Sequence, residues 1–133
     1  MSNLFRVGTL ATDTPGDVIS LKAHSTTTMY DCLEYPGTTN YQVPVGKTLY
    51  VCKVIAAAWT LQSSFNLGYG DNALDNAAGP PTNWVQCSGG LFLSAVYTSY
   101  IFDILFSVPA QKYLHIKNVS SFTCDIHIQG VVV

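Results

Sequence analysis

The sequence predicts an all-β fold, an antiparallel β-sandwich of the jelly-roll type with about eight strands. Three observations point to this fold. Apolar and polar residues alternate along most segments, turn residues separate those segments, and no stretch of helical length has an amphipathic period. The chain has 133 residues, which is enough for one such domain with its own core.

The first predicted strands lie in the N-terminal part of the chain. Residues 3–10 and 18–24 are predicted to form short strands, and Pro15 and Gly16 mark a turn between them. We expect residues 1–17 to be an N-terminal arm or edge strand and residues 18–133 to be a single jelly-roll domain.

The strand predicted over residues 46–59 differs from the others because it is apolar on both faces. One face is predicted to carry Tyr50, Cys52 and Val54, and the other Leu49, Val51 and Ile55. A strand with two apolar faces is typically covered on both sides. A second sheet and a neighbouring subunit are the expected covers.

The C-terminal segments alternate most regularly. Residues 112–118 and 122–129 are predicted to form a hairpin that turns near Ser120 and Ser121. The expected register pairs Ile116 with Ile126, so that both strands direct their apolar residues to the same side of the sheet.

In that register, polar side chains of the hairpin would face each other. His115 would lie opposite His127 and Lys117 opposite Asp125, whereas a shift by two residues would place His115 opposite Asp125. Two histidines across a strand pair could bind a metal, but metal sites need three or four ligands and only two are visible. We therefore expect a solvent-facing polar row, with no metal and no cofactor.

Composition favours association with other protein chains. Charged residues make up 11% of the chain, against about 25% in an average soluble domain, and hydrophobic residues make up 48%. Burial between copies is the simplest way to remove so much apolar surface from water. The net charge of −2 without a basic stripe argues against nucleic acid, and no apolar run is long enough to span a membrane.

The four cysteines predict free thiols. Cys32, Cys52, Cys87 and Cys124 are far apart, and none belongs to a C-x-x-C pair. The N-terminus lacks the pattern of a secretory signal, so we expect synthesis in a reducing cytosol with mostly buried thiols. No histidine lies near Cys87 in the sequence, which argues against a nucleophile there.

The long loop over residues 66–84 is predicted to be an interface loop. It is longer than a packing connection needs, and loops of that length are usually functional or disordered. Asp71 and Asp75 would keep its exposed part soluble, while Tyr69 and Trp84 bracket it as aromatic anchors for a partner.

Other chemistry in this loop is not supported by its residues. The loop residues Asp71, Asn72, Asp75 and Asn76 do not follow the EF-hand pattern, and the "GYGDN" stretch of the loop lacks the spacing of a phosphate-binding loop.

Tyr97 and Tyr100, at the start of a predicted strand, could stack on a sugar or pack on a partner. We predict no catalytic residues and a partner interface that includes Tyr69, Asp71, Asn72, Asp75, Trp84, Tyr97 and Tyr100.

Three stretches carry a resemblance to a known family. They are "VPVGKTLYVCKVIAAAW", "FNLGYGDN" and "FSVPAQKYLHIKNVSSFTCDIHIQGVVV". Together they span residues 41–133, and their pattern resembles small jelly-roll structural proteins of tailed bacteriophages. These include head decoration (cement) proteins and related receptor-binding tips.

The resemblance implies a non-enzymatic virion protein on the capsid surface, made in the host cytoplasm. Its partners would be its own copies in a homotrimer and the major capsid protein, with no small-molecule ligand expected. Two alternatives stay open: a receptor- or carbohydrate-binding head of a tail fibre or spike, and a cupin-like metalloprotein that uses His115 and His127. The cupin-like alternative ranks last because the G-x-H-x-H motif that cupins usually carry is absent.

Overall fold

A computed structural model describes residues 17–25, 29–35, 40–59, 62–119 and 123–133. Within these ranges the chain forms ten strands and no helix, and so has no helix that is long and apolar enough to cross a membrane. Residues 1–16 of the predicted arm, which include the predicted strand over residues 3–10, lie outside the described residues, whereas Asp17 of that arm begins the first strand. The strands are β1 (Asp17–Ser25), β2 (Tyr30–Cys32), β3 (Leu49–Ala58), β4 (Ser63–Gly70), β5 (Val85–Gln86), β6 (Leu91–Leu93), β7 (Ser99–Phe102), β8 (Phe106–Val108), β9 (Tyr113–Asn118) and β10 (Cys124–Val132).

The strands form two antiparallel sheets that pack as a β-sandwich, as predicted. The first sheet has the order β1-β10-β3-β7, with β8 also paired to β3. The second sheet has the order β2-β9-β4-β5, with β6 also paired to β4. One side of each sheet faces the shared core, which is the usual way for a sheet to bury its apolar face.

The core consists of the inward-facing apolar residues of both sheets. Phe65 of the second sheet meets Phe102 of the first edge to face, with ring centroids 6.2 Å apart. The largest fully buried apolar side chains around them are Leu21, Leu33, Leu49, Leu67, Leu93, Leu114, Ile116, Ile126 and Ile128.

The predicted faces of β3 are wrong because the strand contains a β-bulge. Its register with β10 shifts between Gln129 and Gly130, so that Lys53 and Val51 have partners in β10 and Cys52 has none. One extra residue reverses the alternation. Val54 therefore lies in the core with Val51, instead of beside Cys52 on the outer face.

The predicted C-terminal hairpin is also wrong. β9 pairs with β2 and β4 in the second sheet, while β10 pairs with β1 and β3 in the first. Both strands alternate because both face the core, and this alternation is the same whether two strands share a sheet or face each other across the core. His115 consequently lies on a different sheet from His127 and Asp125.

Candidate functional site

The loop between β4 and β5 covers part of the outer face of the second sheet, over β2, β9 and the end of β4. The Leu74 carbonyl accepts a hydrogen bond from the Cys32 amide at 2.8 Å, and the Leu74 amide donates to Nε2 of His115 at 3.1 Å. Ala77 and Tyr30 exchange two backbone hydrogen bonds of 2.8 and 3.1 Å. These bonds attach the middle of the loop to β2 and β9 of its own domain.

Two glycines of β4 allow the returning part of the loop to lie close to the sheet. A Cβ atom on Gly68 would be 2.5 Å from the Trp84 ring, and one on Gly70 would be 2.5 Å from Pro81. Trp84 packs edge to face on Tyr30, with ring centroids 5.2 Å apart, and on His115 at 6.3 Å. Trp84 is thus held within its own domain.

Polar side chains of the loop are also bonded within the domain. Asp71 forms an ion pair with Lys112 and accepts a hydrogen bond from the side-chain amide of Asn83 at 2.6 Å. The hydrogen bonds from Lys112 and then Asn83 lower the pKa of Asp71. Asn72 accepts a hydrogen bond from the Thr82 amide at 2.8 Å.

The predicted interface residues fall into two separate groups. Tyr69, Asp71, Asn72, Asp75 and Trp84 belong to the second sheet and its covering loop. Tyr97 and Tyr100 lie beside and within β7 of the first sheet. A partner that contacts all of these residues would have to reach both sheets, and their role in an interface stays a prediction.

His115 is enclosed beneath this loop. It is fully buried, and its Nδ1 lies 3.0 Å from the Tyr113 carbonyl, to which it donates because Nε2 is the acceptor for Leu74. Burial lowers the pKa of His115, whereas the negative charges of Asp31 and Asp75 act to raise it. The predicted pair of His115 with His127 is not formed, and the described residues contain no cluster of three or more side chains suited to a metal.

All four cysteines are free thiols, in agreement with the prediction. Cys32 and Cys124 are buried, and burial raises the pKa of each to about 12. Burial also raises the pKa of Cys87 to about 11. A thiol with so high a pKa is a poor nucleophile at neutral pH.

The outer face of the first sheet is open at one end and apolar there. Val18, Val131 and Tyr50 lie side by side across β1, β10 and β3. Leu105, from the connection between β7 and β8, lines a depression of about 540 Å³ together with Val18 and Val131, and the polar side chains of Lys53, Asp103 and Gln129 also line it. The exposed fractions are 82% for Leu105, 63% for Val18 and 50% for Tyr50.

The other end of this face is polar and concave. His24 and Asp125 are cross-strand partners, and Nδ1 of His24 is hydrogen-bonded to one carboxylate oxygen of Asp125. The other oxygen accepts the indole N–H of Trp59. These residues and His127 line a cleft of about 610 Å³, whose lining also includes Lys22, Glu34, Asp31 of β2 and Asp75 of the loop that follows β4.

Sequence reasoning did not identify the group formed by His24, Trp59 and Asp125. His24 and Asp125 are separated by 101 positions, and no motif connects them. The only available signal was the outward position of His24 in the alternation of residues 18–24.

The two outer faces of the sandwich therefore differ in kind. The second sheet is partly covered by the chain's own loop, over β2 and β9, whereas the first sheet has an open apolar end and a polar cleft. No protein-family model, no curated protein and no solved structure matches the chain. Comparison with known proteins therefore assigns a role to neither face.

Proposed function

We propose that the protein is a virion structural protein, a decoration (cement) protein that stabilises a bacteriophage head by binding across capsomers as a homotrimer. The observation that supports this proposal best is the open apolar end of the first sheet, formed by Val18, Tyr50, Leu105 and Val131. Exposed apolar patches of this kind mark surfaces that other proteins cover.

The order of strand pairing supports a jelly roll, the type of β-sandwich that the sequence predicts. β1 pairs with β10, β2 with β9, β3 with β8, and β4 with β5 and β6. The first half of the chain thus pairs with the second half in reverse order, as in a long hairpin that is rolled into two sheets. This arrangement is what a jelly roll of two Greek keys requires.

Energetics favour association through the open face of the first sheet. Removing an aliphatic or aromatic side chain from water is worth about 1.5–3 kcal/mol, so a few such residues in each copy can hold a small oligomer together. A trimer that binds only the assembled shell would stabilise that shell by mass action, and three linked contacts would strengthen its attachment. Such a role needs no catalytic residue and no cofactor.

The test is to look for the chain in virus particles produced from the genome that encodes it. We expect gradient-purified particles to contain the chain at a fixed ratio to the major capsid protein. Particles that lack the chain should release their DNA at a lower temperature, because the contacts between capsomers are lost. Absence of the chain from the particles, its location in the tail, or an unchanged release temperature would each contradict the proposal.

A further inference from the structure

We propose that the cleft at the polar end of the first sheet binds a neutral saccharide, with one pyranose ring stacked on Trp59. This inference goes beyond the decoration function and does not depend on it. A pyranose has a face of C–H groups that packs on an aromatic ring and a rim of hydroxyl groups that donate and accept hydrogen bonds. The cleft of about 610 Å³ is in the size range of small-molecule sites and provides both kinds of contact.

Trp59 is held in place before any ligand binds. Its indole N–H donates to Asp125, which also accepts a hydrogen bond from His24. The ring keeps 40% of its surface exposed even though its polar atom is satisfied. A large apolar side chain that is both fixed and exposed in a concave site loses little conformational entropy on binding.

The backbone beside Trp59 is strained in a way that supports a binding role. Tyr97 has a φ of 56°, a value that is common for glycine but rare for a residue with a bulky side chain. Its amide donates to the Ala58 carbonyl at 2.9 Å, and its ring lies 5.9 Å from that of Trp59. The ring is nonetheless 74% exposed, so the strain is not offset by burial of the ring. Strained residues of this kind cluster at functional sites.

The polar lining provides both donors and acceptors for the hydroxyl groups of a saccharide. Lys22 and His127 can donate hydrogen bonds, and Glu34 can accept them. Although four carboxylates line the cleft, three of them already accept hydrogen bonds within the domain. Asp125 accepts from His24 and Trp59, Asp31 from the Asn76 amide at 2.7 Å, and Asp75 from the Asn40 side chain at 3.5 Å.

Ligand-observed saturation-transfer NMR on the whole chain tests this inference. The probes are the methyl pyranosides of glucose, galactose, mannose and N-acetylglucosamine. We expect at least one to bind with a dissociation constant in the millimolar range, as is usual for a single small ligand with few contacts. If none of the four pyranosides binds, or if n-butylguanidinium binds in their place, the proposal is overturned.

The two tryptophans of the chain provide a matched pair of variants. Trp59→Ala should weaken binding at least about tenfold, which corresponds to the loss of about 1.4 kcal/mol. Trp84→Phe changes a residue that packs on the other sheet, and it should leave binding unchanged. Trp59 is then the only tryptophan of the chain, and its fluorescence should change to a saturating value as the pyranoside that binds is added. Binding that survives in folded Trp59→Ala would overturn the proposal. If Trp59→Ala does not fold, the fluorescence of Trp84→Phe, whose remaining indole is Trp59, decides the question: no change at saturating pyranoside would overturn the proposal.

Discussion

Replacing Gly68 with alanine is expected to lower the midpoint of thermal unfolding by about 10 °C. The added Cβ atom would lie 2.4 Å from the Val85 carbonyl and 2.5 Å from the Trp84 ring. Because Gly68 pairs with Gln86, both β5 and the end of the covering loop would have to move away from the second sheet. Overpacking of this kind costs about 2–3 kcal/mol.

Gly79→Ala is the matched control for Gly68→Ala. Gly79 lies in the same loop, and a Cβ atom added there would meet nothing within 4 Å. We expect its unfolding midpoint to equal that of the parent, and circular dichroism at increasing temperature measures both variants. Equal midpoints for the two variants would show that the loop is not packed on Gly68.

Acidification below about pH 6.5 is expected to destabilise the fold through His115. The unfolded chain binds a proton near the ordinary pKa of imidazole, about 6.5, whereas burial lowers the pKa of His115 in the folded chain. The unfolded state therefore holds more protons in this window. Above about pH 6.5 the contribution of His115 to the free energy of unfolding is fully present. Below that pH the free energy of unfolding should fall by up to about 1.4 kcal/mol per pH unit, until the pH reaches the pKa of His115 in the folded chain.

Protonation of His115 would also release the covering loop. A proton on Nε2 would convert the acceptor of the Leu74 amide into a donor, so that two N–H groups would face each other. The carboxylates of Asp31 and Asp75 act against this effect because they favour the charged imidazole. The protection factors of the loop amides, which compare their exchange with that of an unstructured chain at the same pH, should therefore decrease as the pH falls.

Urea unfolding at a series of pH values measures the contribution of His115. His115→Gln should lose the part of the pH dependence below about pH 6.5 that comes from this residue. His127→Gln, at an exposed position on the other sheet, should keep the dependence of the parent. If His115→Gln and the parent show the same dependence, the buried hydrogen bond to Leu74 does not control acid stability.

The sequence was sufficient to predict the fold class because alternation reports directly which residues face a core. It was not sufficient to predict the sheet to which each strand belongs. Leu114 and Ile116 in β9 and Ile126 and Ile128 in β10 alternate alike, although the two strands lie in different sheets. The bulge at Cys52 was hidden for a related reason, since an extra residue in an apolar strand resembles a strand with two apolar faces.

The site was less predictable than the fold because it is made of contacts between distant parts of the chain. The packing of Trp84 on Gly68 and Tyr30 depends on the path of the loop, which no local pattern specifies. His24 and Asp125 likewise meet only because β1 pairs with β10. Pairing between the ends of a chain follows from the topology of the whole fold.

The central claim is that the open face of the first sheet, and not the second sheet, joins the copies of this protein. The most direct measurement is the mass in solution, by light scattering, of Leu105→Asp and Phe92→Asp beside the parent. Leu105 is 82% exposed beside the first sheet, and Phe92 is 53% exposed on β6 of the second sheet. We predict a trimer for the parent and for Phe92→Asp, and a folded monomer for Leu105→Asp, because a charge in an apolar contact is costly to bury. A monomeric parent, or a trimer that survives Leu105→Asp, would contradict the claim.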